Sequence, residues 1–392
     1  MQAMKKAFTL FLLVAMAFSL NAQTMKTITW DGQERQYVEY VPTTYSDAKP
    51  TPVLFMLHGL GDQANNFFQA TQIMNVAEQK GWIVICPQAL VFNLEIPNFG
   101  SQNFGTCWNA GVTAPIHISM FGTSFDYDVP VNQDVDDEGF FLATLQALDE
   151  EYNLDSDSLF FAGFSMGGFM SHRMAINHGD IINSIAAVSG LVGSDMASLT
   201  PIDNVNVLQI FGTSDEMIDY NDASINLQSY GTSVIGLPAE ATVEYWRAFN
   251  QCDEEPVVEQ YPDTFDDGLT FEMYQYKNEG NNSKVAYIKV INGMHDWYFG
   301  TSHDIDYNTE IIKFFTTPVD VTGVAEASHA PLAVYPNPAK DFINVGKETV
   351  CIYDLCGKLV MKGSGRIDVS SLPEGMYFVK SENNCSKLII NR

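Results

Sequence analysis

Positive charge is scarce in this chain. Its 392 residues carry 20 Lys and Arg against 48 Asp and Glu, a formal net charge of −28. Surfaces that bind phosphates are built from clustered Lys and Arg, so this balance argues against a nucleic-acid partner and against anionic membranes. Long apolar runs are scarce too. The run Ala7 to Leu20 spans 14 residues, short of the ~20 that cross a bilayer. Metal-ligand spacing is missing. The six cysteines include no CxxC pair, since Cys351 and Cys356 stand too far apart, and no HxxxH pair exists. A hydrophobic share of 46% with 17% charged residues excludes a mainly disordered chain.

What is present begins with an address. Lys5 and Lys6 precede the apolar run, and small residues follow it, with Ala22 before Gln23 as the cleavage point. Residues 1–22 read as a secretory signal peptide, so the mature protein is expected to be exported and free of membrane spans. Export permits disulfides. Cys107 and Cys252 sit in polar, loop-like contexts and are expected to pair. Cys86 ends the apolar run that starts at Trp82 and reads as a buried thiol.

Two modules follow. Buried-strand runs appear at 53–57, 82–86, 159–162, 205–211 and 284–291. Helical patterns lie between and after them, at 70–80, 139–152, 166–177, 242–250 and 309–315. This alternation predicts an α/β domain over residues 23–316, with a mostly parallel sheet covered on both faces. The stretch from Val91 to Asp137 lacks periodicity and is too long for a plain connection, so it reads as an inserted loop or lid near the site. Residues 317–330 are small and polar, a linker. From Pro331 to Arg392 the net charge is +2, against −30 for everything before. Short alternating strands with Gly turns make that tail a small β-sandwich.

The chemistry lies at strand ends. Gly163-Phe164-Ser165-Met166-Gly167 is a GxSxG sequence between an apolar strand and a helical pattern. A serine on such a turn presents its hydroxyl at the carboxyl edge of the sheet. The Met166 amide, opening the helix, is then free to hold an oxyanion. A serine nucleophile needs a base, and the base needs an orienting acid. Asp215 follows the strand ending at Phe211-Gly212, with Asp219 as rival. His295 follows the strand 284–291. Of the other histidines, His303 is further from that strand, and His172 and His178 lie on the helix after Ser165. The second oxyanion amide is assigned to Leu60, in His58-Gly59-Leu60-Gly61, with Gly59 as the neighbouring alternative. His58 itself reads as structural.

Three further features need weighing. Gly59-x-Gly61-x-x-Ala64 after a strand matches a dinucleotide fingerprint, but the acid expected about 20 residues on is missing. The acidic group Asp126, Asp128, Asp134, Asp136, Asp137 and Glu138 lacks EF-hand spacing and reads as a solvated loop or helix cap rather than a calcium site. The aromatics Trp108, Trp297, Phe92, Phe99 and Phe104 are candidates for an apolar acyl pocket. No metal or organic cofactor is required.

The runs Val53-Leu-Phe-Met-Leu-His-Gly59, Cys107-Trp-Asn109, Asp136-Asp-Glu-Gly-Phe140 and Phe161-Ala-Gly-Phe-Ser-Met-Gly-Gly168 together resemble secreted esterases of the polyhydroxybutyrate depolymerase and feruloyl esterase group. The resemblance covers roughly residues 28–316. It implies an α/β-hydrolase fold, a Ser165–Asp215–His295 triad and ester hydrolysis. Feruloyl or acetyl esters on plant polysaccharide are the first expectation. A polyester comes second, ahead of a peptidase or a catalytically silent binding module. Val334-Tyr-Pro-Asn-Pro338, Ile352-Tyr-Asp-Leu-Cys-Gly-Lys358 and Ser371-Leu-Pro-Glu-Gly-Met-Tyr377 resemble the type A sorting domain of the type IX secretion system. That resemblance implies the secretion machinery as a partner and a secreted or cell-surface location.

Overall fold

Short apolar runs separated by amphipathic ones fold into a layered body. A computed structural model describes residues 23–96, 100–120, 123–226, 232–319, 332, 334–354, 358–381 and 385–391. The expected signal peptide, nearly all of the linker, Phe99 and Cys356 lie outside the described residues, as do the side chains of Asp126 and Cys385.

The chain opens with the hairpin β1 (Gln23–Trp30) and β2 (Gln33–Tyr40), then β3 (Thr51–Leu57). Helices α1 (Ala64–Thr71) and α2 (Ile73–Lys80) lead to β4 (Ile83–Pro87). Two hairpins follow, β5 (Val91–Ile96) with β6 (Gly100–Thr106), and β7 (Thr113–Met120) with β8 (Thr123–Pro130). Next come α3 (Asp137–Glu151), β9 (Leu154–Phe164), α4 (Met166–His178), β10 (Ser184–Val188) and β11 (Asn206–Gly212). A short hairpin, β12 (Ser224–Asn226) and β13 (Thr232–Val234), precedes α5 (Ala239–Phe249). The body closes with β14 (Val257–Gln260), β15 (Thr270–Asn278), β16 (Ser283–Ile291) and α6 (Tyr307–Thr316).

Ten strands form one sheet in the order β1-β2-β4-β3-β9-β10-β11-β16-β15-β14. From β4 to β16 all neighbours are parallel, and the two outer strands on each side are antiparallel. Alternation along each strand splits the core in two. Phe55 and Leu57 face a layer with Phe141, Phe169 and Trp246 from α3, α4 and α5. Leu54 and Met56 face the opposite layer, with Phe68 of α1 and Phe315 of α6. Parallel strands buried on both faces explain why the central runs are uniformly apolar. This is the α/β-hydrolase architecture expected from the sequence.

The insert differs from its expectation. Where the sequence predicts an inserted loop or lid without periodicity, the residues after β4 form two hairpins. The expected helix 70–80 is two helices, broken at Gln72, whose φ is 53°. Three members of the acidic group have structural work. Asp136 caps α3 by accepting from the Gly139 amide and from Trp30 Nε1. Asp137 is fully buried, 2.6 Å from Arg35, and accepts from the Asn109 amide. Glu138 binds Arg173, Asn177 and His178.

The chain divides into two compact units, the second beginning at Thr322. Its strands β17 (Phe342–Tyr353), β18 (Leu359–Asp368), β19 (Gly375–Lys380) and β20 (Cys385–Ile390) form an antiparallel sheet ordered β18-β17-β19-β20. Ile343, Val350, Ile352, Val379 and Leu388 make its core.

Candidate active site

The carboxyl ends of β3, β9, β11 and β16 carry the candidate residues. At the end of β9 the chain turns through Ser165 into α4. Ser165 has φ 53° and ψ −121°, a strained conformation for a residue with a side chain. The turn is held by its neighbours. The Ser165 amide donates to Val188 O at 2.8 Å. Glycine is required where backbone meets backbone. A Cβ at Gly163 would lie 2.1 Å from Gly167 O, and one at Gly167 would lie 2.0 Å from Leu57 O. The Ser165 hydroxyl makes no capping bond to the helix it precedes, which leaves it free for chemistry.

The acid and base loops are laced together. The Thr213 amide donates to Val290 O, and the Ser214 amide to Gly293 O at 3.0 Å. A Cβ at Gly212 would lie 2.2 Å from Gly293 O, so only glycine lets the two loops approach this closely. Asp215 is buried. Its Oδ1 accepts from the Met217 and Ile218 amides, each at 2.9 Å. Its Oδ2 accepts from His295 Nδ1 at 2.7 Å. The bond leaves His295 Nε2 for a substrate-side proton. The imidazole packs against Phe164, with ring centroids 4.9 Å apart, and the His295 amide donates to Glu216. Asp219 is engaged elsewhere: its carboxylate accepts from the Asn221 amide and its own amide donates to Ser224 O. The structure thus brings Asp215, not its rival, to His295.

The loop after β3 lies against the serine. A Cβ at Gly59 would sit 3.3 Å from Ser165 Cβ. His58 is fully buried. Its Nε2 accepts from the Ala89 amide at 3.1 Å, which puts the proton on Nδ1 for donation to Gly59 O at 2.8 Å. Burial holds its pKa below the usual histidine value. The neutral ring is a strut, as the sequence indicates. Among the described residues, neither the Leu60 nor the Met166 amide donates to another protein group.

Between these amides and the insert opens an apolar pocket. Leu60 and Met166 contribute side chains to it, with Phe92, Leu94 and Phe104 from the first insert hairpin and Val129 from the second. Two pocket assignments need correction. Trp108 is fully buried, and its indole N–H donates to His58 O at 2.8 Å, so it belongs to the core. Trp297 packs edge-on against Phe67 and away from the pocket lining. Phe92 and Phe104 do line the pocket. Leu94 and Val129 were missed, although Phe92/Leu94 and Val129/Val131 show the i, i+2 spacing of one strand face. The Cys107–Cys252 bridge is also absent. Both thiols are free and buried, Cys107 Sγ against Trp108 O and Cys252 Sγ against Ser283 O.

Comparison with known proteins adds three findings. Residues 31–233 match the family described as "Putative esterase", and residues 333–391 match the secretion system C-terminal sorting domain. The first match includes Ser165 and Asp215 and ends before His295. The chain is 28% identical over 172 residues to "Putative esterase NocK" of Nocardia uniformis, covering 42% of this chain and 49% of that protein. It is 26% identical over 191 residues to feruloyl esterase B of Neurospora crassa, covering 47% and 56%. The chain therefore spans about half the length of these curated relatives. Among solved structures, an acetyl xylan esterase from Aspergillus awamori superposes with a TM-score of 0.48 at 14% identity, over 74% of this chain and 98% of that one.

Proposed function

The chain belongs to the esterase family matched over residues 31–233, and on that premise we propose that it is an exported serine esterase acting on aromatic acyl esters of plant polysaccharide. The observation that carries the reading is the 2.7 Å bond between His295 Nδ1 and buried Asp215, with the imidazole packed on Phe164, the residue before a serine held at positive φ.

The geometry supports the following mechanism. His295 Nε2 takes the Ser165 proton as Oγ attacks the ester carbonyl. Asp215 fixes the imidazole tautomer and stabilises the imidazolium. The developing oxyanion is met by the Met166 and Leu60 amides, which have no competing acceptor among the described residues. His295 then protonates the departing alcohol. Water, deprotonated by the same nitrogen, attacks the acyl-enzyme and releases the acid.

The pocket argues for the acyl side. Its lining is apolar and carries two aromatic side chains, which suits an aromatic acyl group better than an acetyl group. Phe92 and Phe104, with ring centroids 5.7 Å apart, suit a flat aromatic ring. The sorting domain supports delivery by the type IX machinery to the outside of the cell, where plant polymers are met.

The test is product release from methyl ferulate and acetylated xylan by the purified protein, with Ser165→Ala alongside. Ferulate released only when the serine is present supports the reading. Acetate without ferulate replaces the acyl group. Neither product from folded protein sends the search to polyesters.

A further inference from the structure

The oxyanion loop is not held by its own strand alone. Three groups from the end of the first insert hairpin bracket Leu60. On one side, Trp108 Nε1 donates to His58 O at 2.8 Å. On the other, the Gly61 amide donates to Thr106 O at 2.8 Å, and Thr106 Oγ1 donates to Asp62 O at 2.6 Å. Gly105, at φ 84°, brings the hairpin backbone so close that a Cβ there would lie 2.9 Å from Gly61 Cα. The hairpin end is itself fixed. The Cys107 amide donates to Leu90 O, and Asn132 Nδ2 donates to Cys107 O. Phe104, two residues before Thr106, lines the acyl pocket.

We propose that Thr106 is a positioning residue whose hydroxyl, bonded to Asp62 O beside the backbone bond from the Gly61 amide, clamps the oxyanion loop and so sets the Leu60 amide on the carbonyl oxygen. The inference rests on the reading of Leu60 as an oxyanion donor. Its physical basis is directional. Gly61 has φ 76° and a Cβ there would meet nothing within 4 Å, so on that side only the hydrogen bonds at its flanks hold the loop. Misplacing an oxyanion donor weakens its bond in the transition state more than in the ground state. Thr106 therefore acts on kcat. It touches no reacting atom.

The experiment compares wild type, Thr106→Ser, Thr106→Val and Thr106→Ala with methyl ferulate and with p-nitrophenyl acetate. It adds the inhibition constant of an aryl trifluoromethyl ketone. Ser165 Oγ adds to that ketone's carbonyl carbon, the hydroxyl proton passes to His295, and the product is a hemiketal oxyanion. The expected result is a loss of about tenfold or more in kcat for the valine and alanine variants on both esters. KM should stay within about twofold, the ketone should bind more weakly by the same factor as kcat, and the serine variant should act as wild type. Unchanged kcat in Thr106→Val and Thr106→Ala overturns the clamp. So does a loss confined to KM or to thermal stability. No turnover by wild type on either ester overturns the esterase reading instead, and the two failures are thereby separate.

Discussion

Asp215 divides its two carboxylate oxygens between two jobs: Oδ1 accepts from the Met217 and Ile218 amides, and Oδ2 accepts from His295 Nδ1 at 2.7 Å. The backbone bonds fix the carboxylate, so the imidazole is oriented by a group that cannot rotate away. In Asp215→Asn the two amides still hold the oxygen, and the new NH₂ faces Nδ1. The ring must then accept there and carry its proton on Nε2, the wrong tautomer for a base. A kcat loss of about three to four orders of magnitude is expected at neutral pH, with KM little changed. Asp219→Asn should keep kcat within about twofold. Steady-state kinetics on methyl ferulate separates the two.

The acyl pocket makes a specificity prediction. Val129→Trp fills space beside Phe92 and Phe104. Hydrolysis of methyl ferulate should fall by about tenfold or more in kcat/KM, while p-nitrophenyl acetate is spared. Equal losses on both esters would mean that the aromatic acyl group binds elsewhere.

The buried pair of Arg35 and Asp137 predicts a stability effect. Asp137→Ala strands a buried guanidinium and frees the Asn109 amide. A cost of about 3–5 kcal/mol is expected, read from chemical denaturation. The double change Arg35→Met with Asp137→Leu should recover much of it.

His172 predicts a pH dependence of folding. It is fully buried, accepts from Trp246 Nε1 and lies 3.0 Å from Gln209 Oε1, and burial lowers its pKa to about 4. Its unfolded value is near 6.5. A histidine kept neutral in the fold adds stability above the unfolded value. That stability is lost as pH falls from about 6.5 towards 4, because only the unfolded chain takes up the proton. Denaturation midpoints should drop across this window, and the slope should flatten in His172→Gln.

The thiols predict slow chemistry. Burial pushes Cys107 up to about 12, so its reactive thiolate is absent at neutral pH. Cys107 and Cys252 should resist alkylation in folded protein and both react after unfolding without reductant. A bridge linking the two, found by peptide mapping, would contradict the structure.

Much of this site was legible before folding. Ser165, Asp215 and His295 each follow an apolar run, and strands buried on both faces leave such runs unbroken. The elbow needed only its two flanking glycines to be seen. Other parts lacked a signal. The hairpin of β1 and β2 lies at an edge, where polar residues interrupt the pattern. β10 is Ser-Ile-Ala-Ala-Val, small residues that carry no period. The break at Gln72 is a left-handed turn on a residue that usually avoids one. Trp108 misled because a large aromatic in an insert suggests a ligand surface, while its indole found a partner in His58 O and sank into the core. The loop clamp was invisible, since Thr106 and Asp62 lie 44 residues apart and meet through a hydroxyl and a backbone carbonyl.

The most direct test of the account is covalent labelling with a fluorophosphonate, read by peptide mass spectrometry. The account predicts one adduct per chain, on Ser165, absent in Ser165→Ala and slowed about a thousandfold or more in His295→Ala. Folded protein that takes no label, or takes it on another residue, would contradict it.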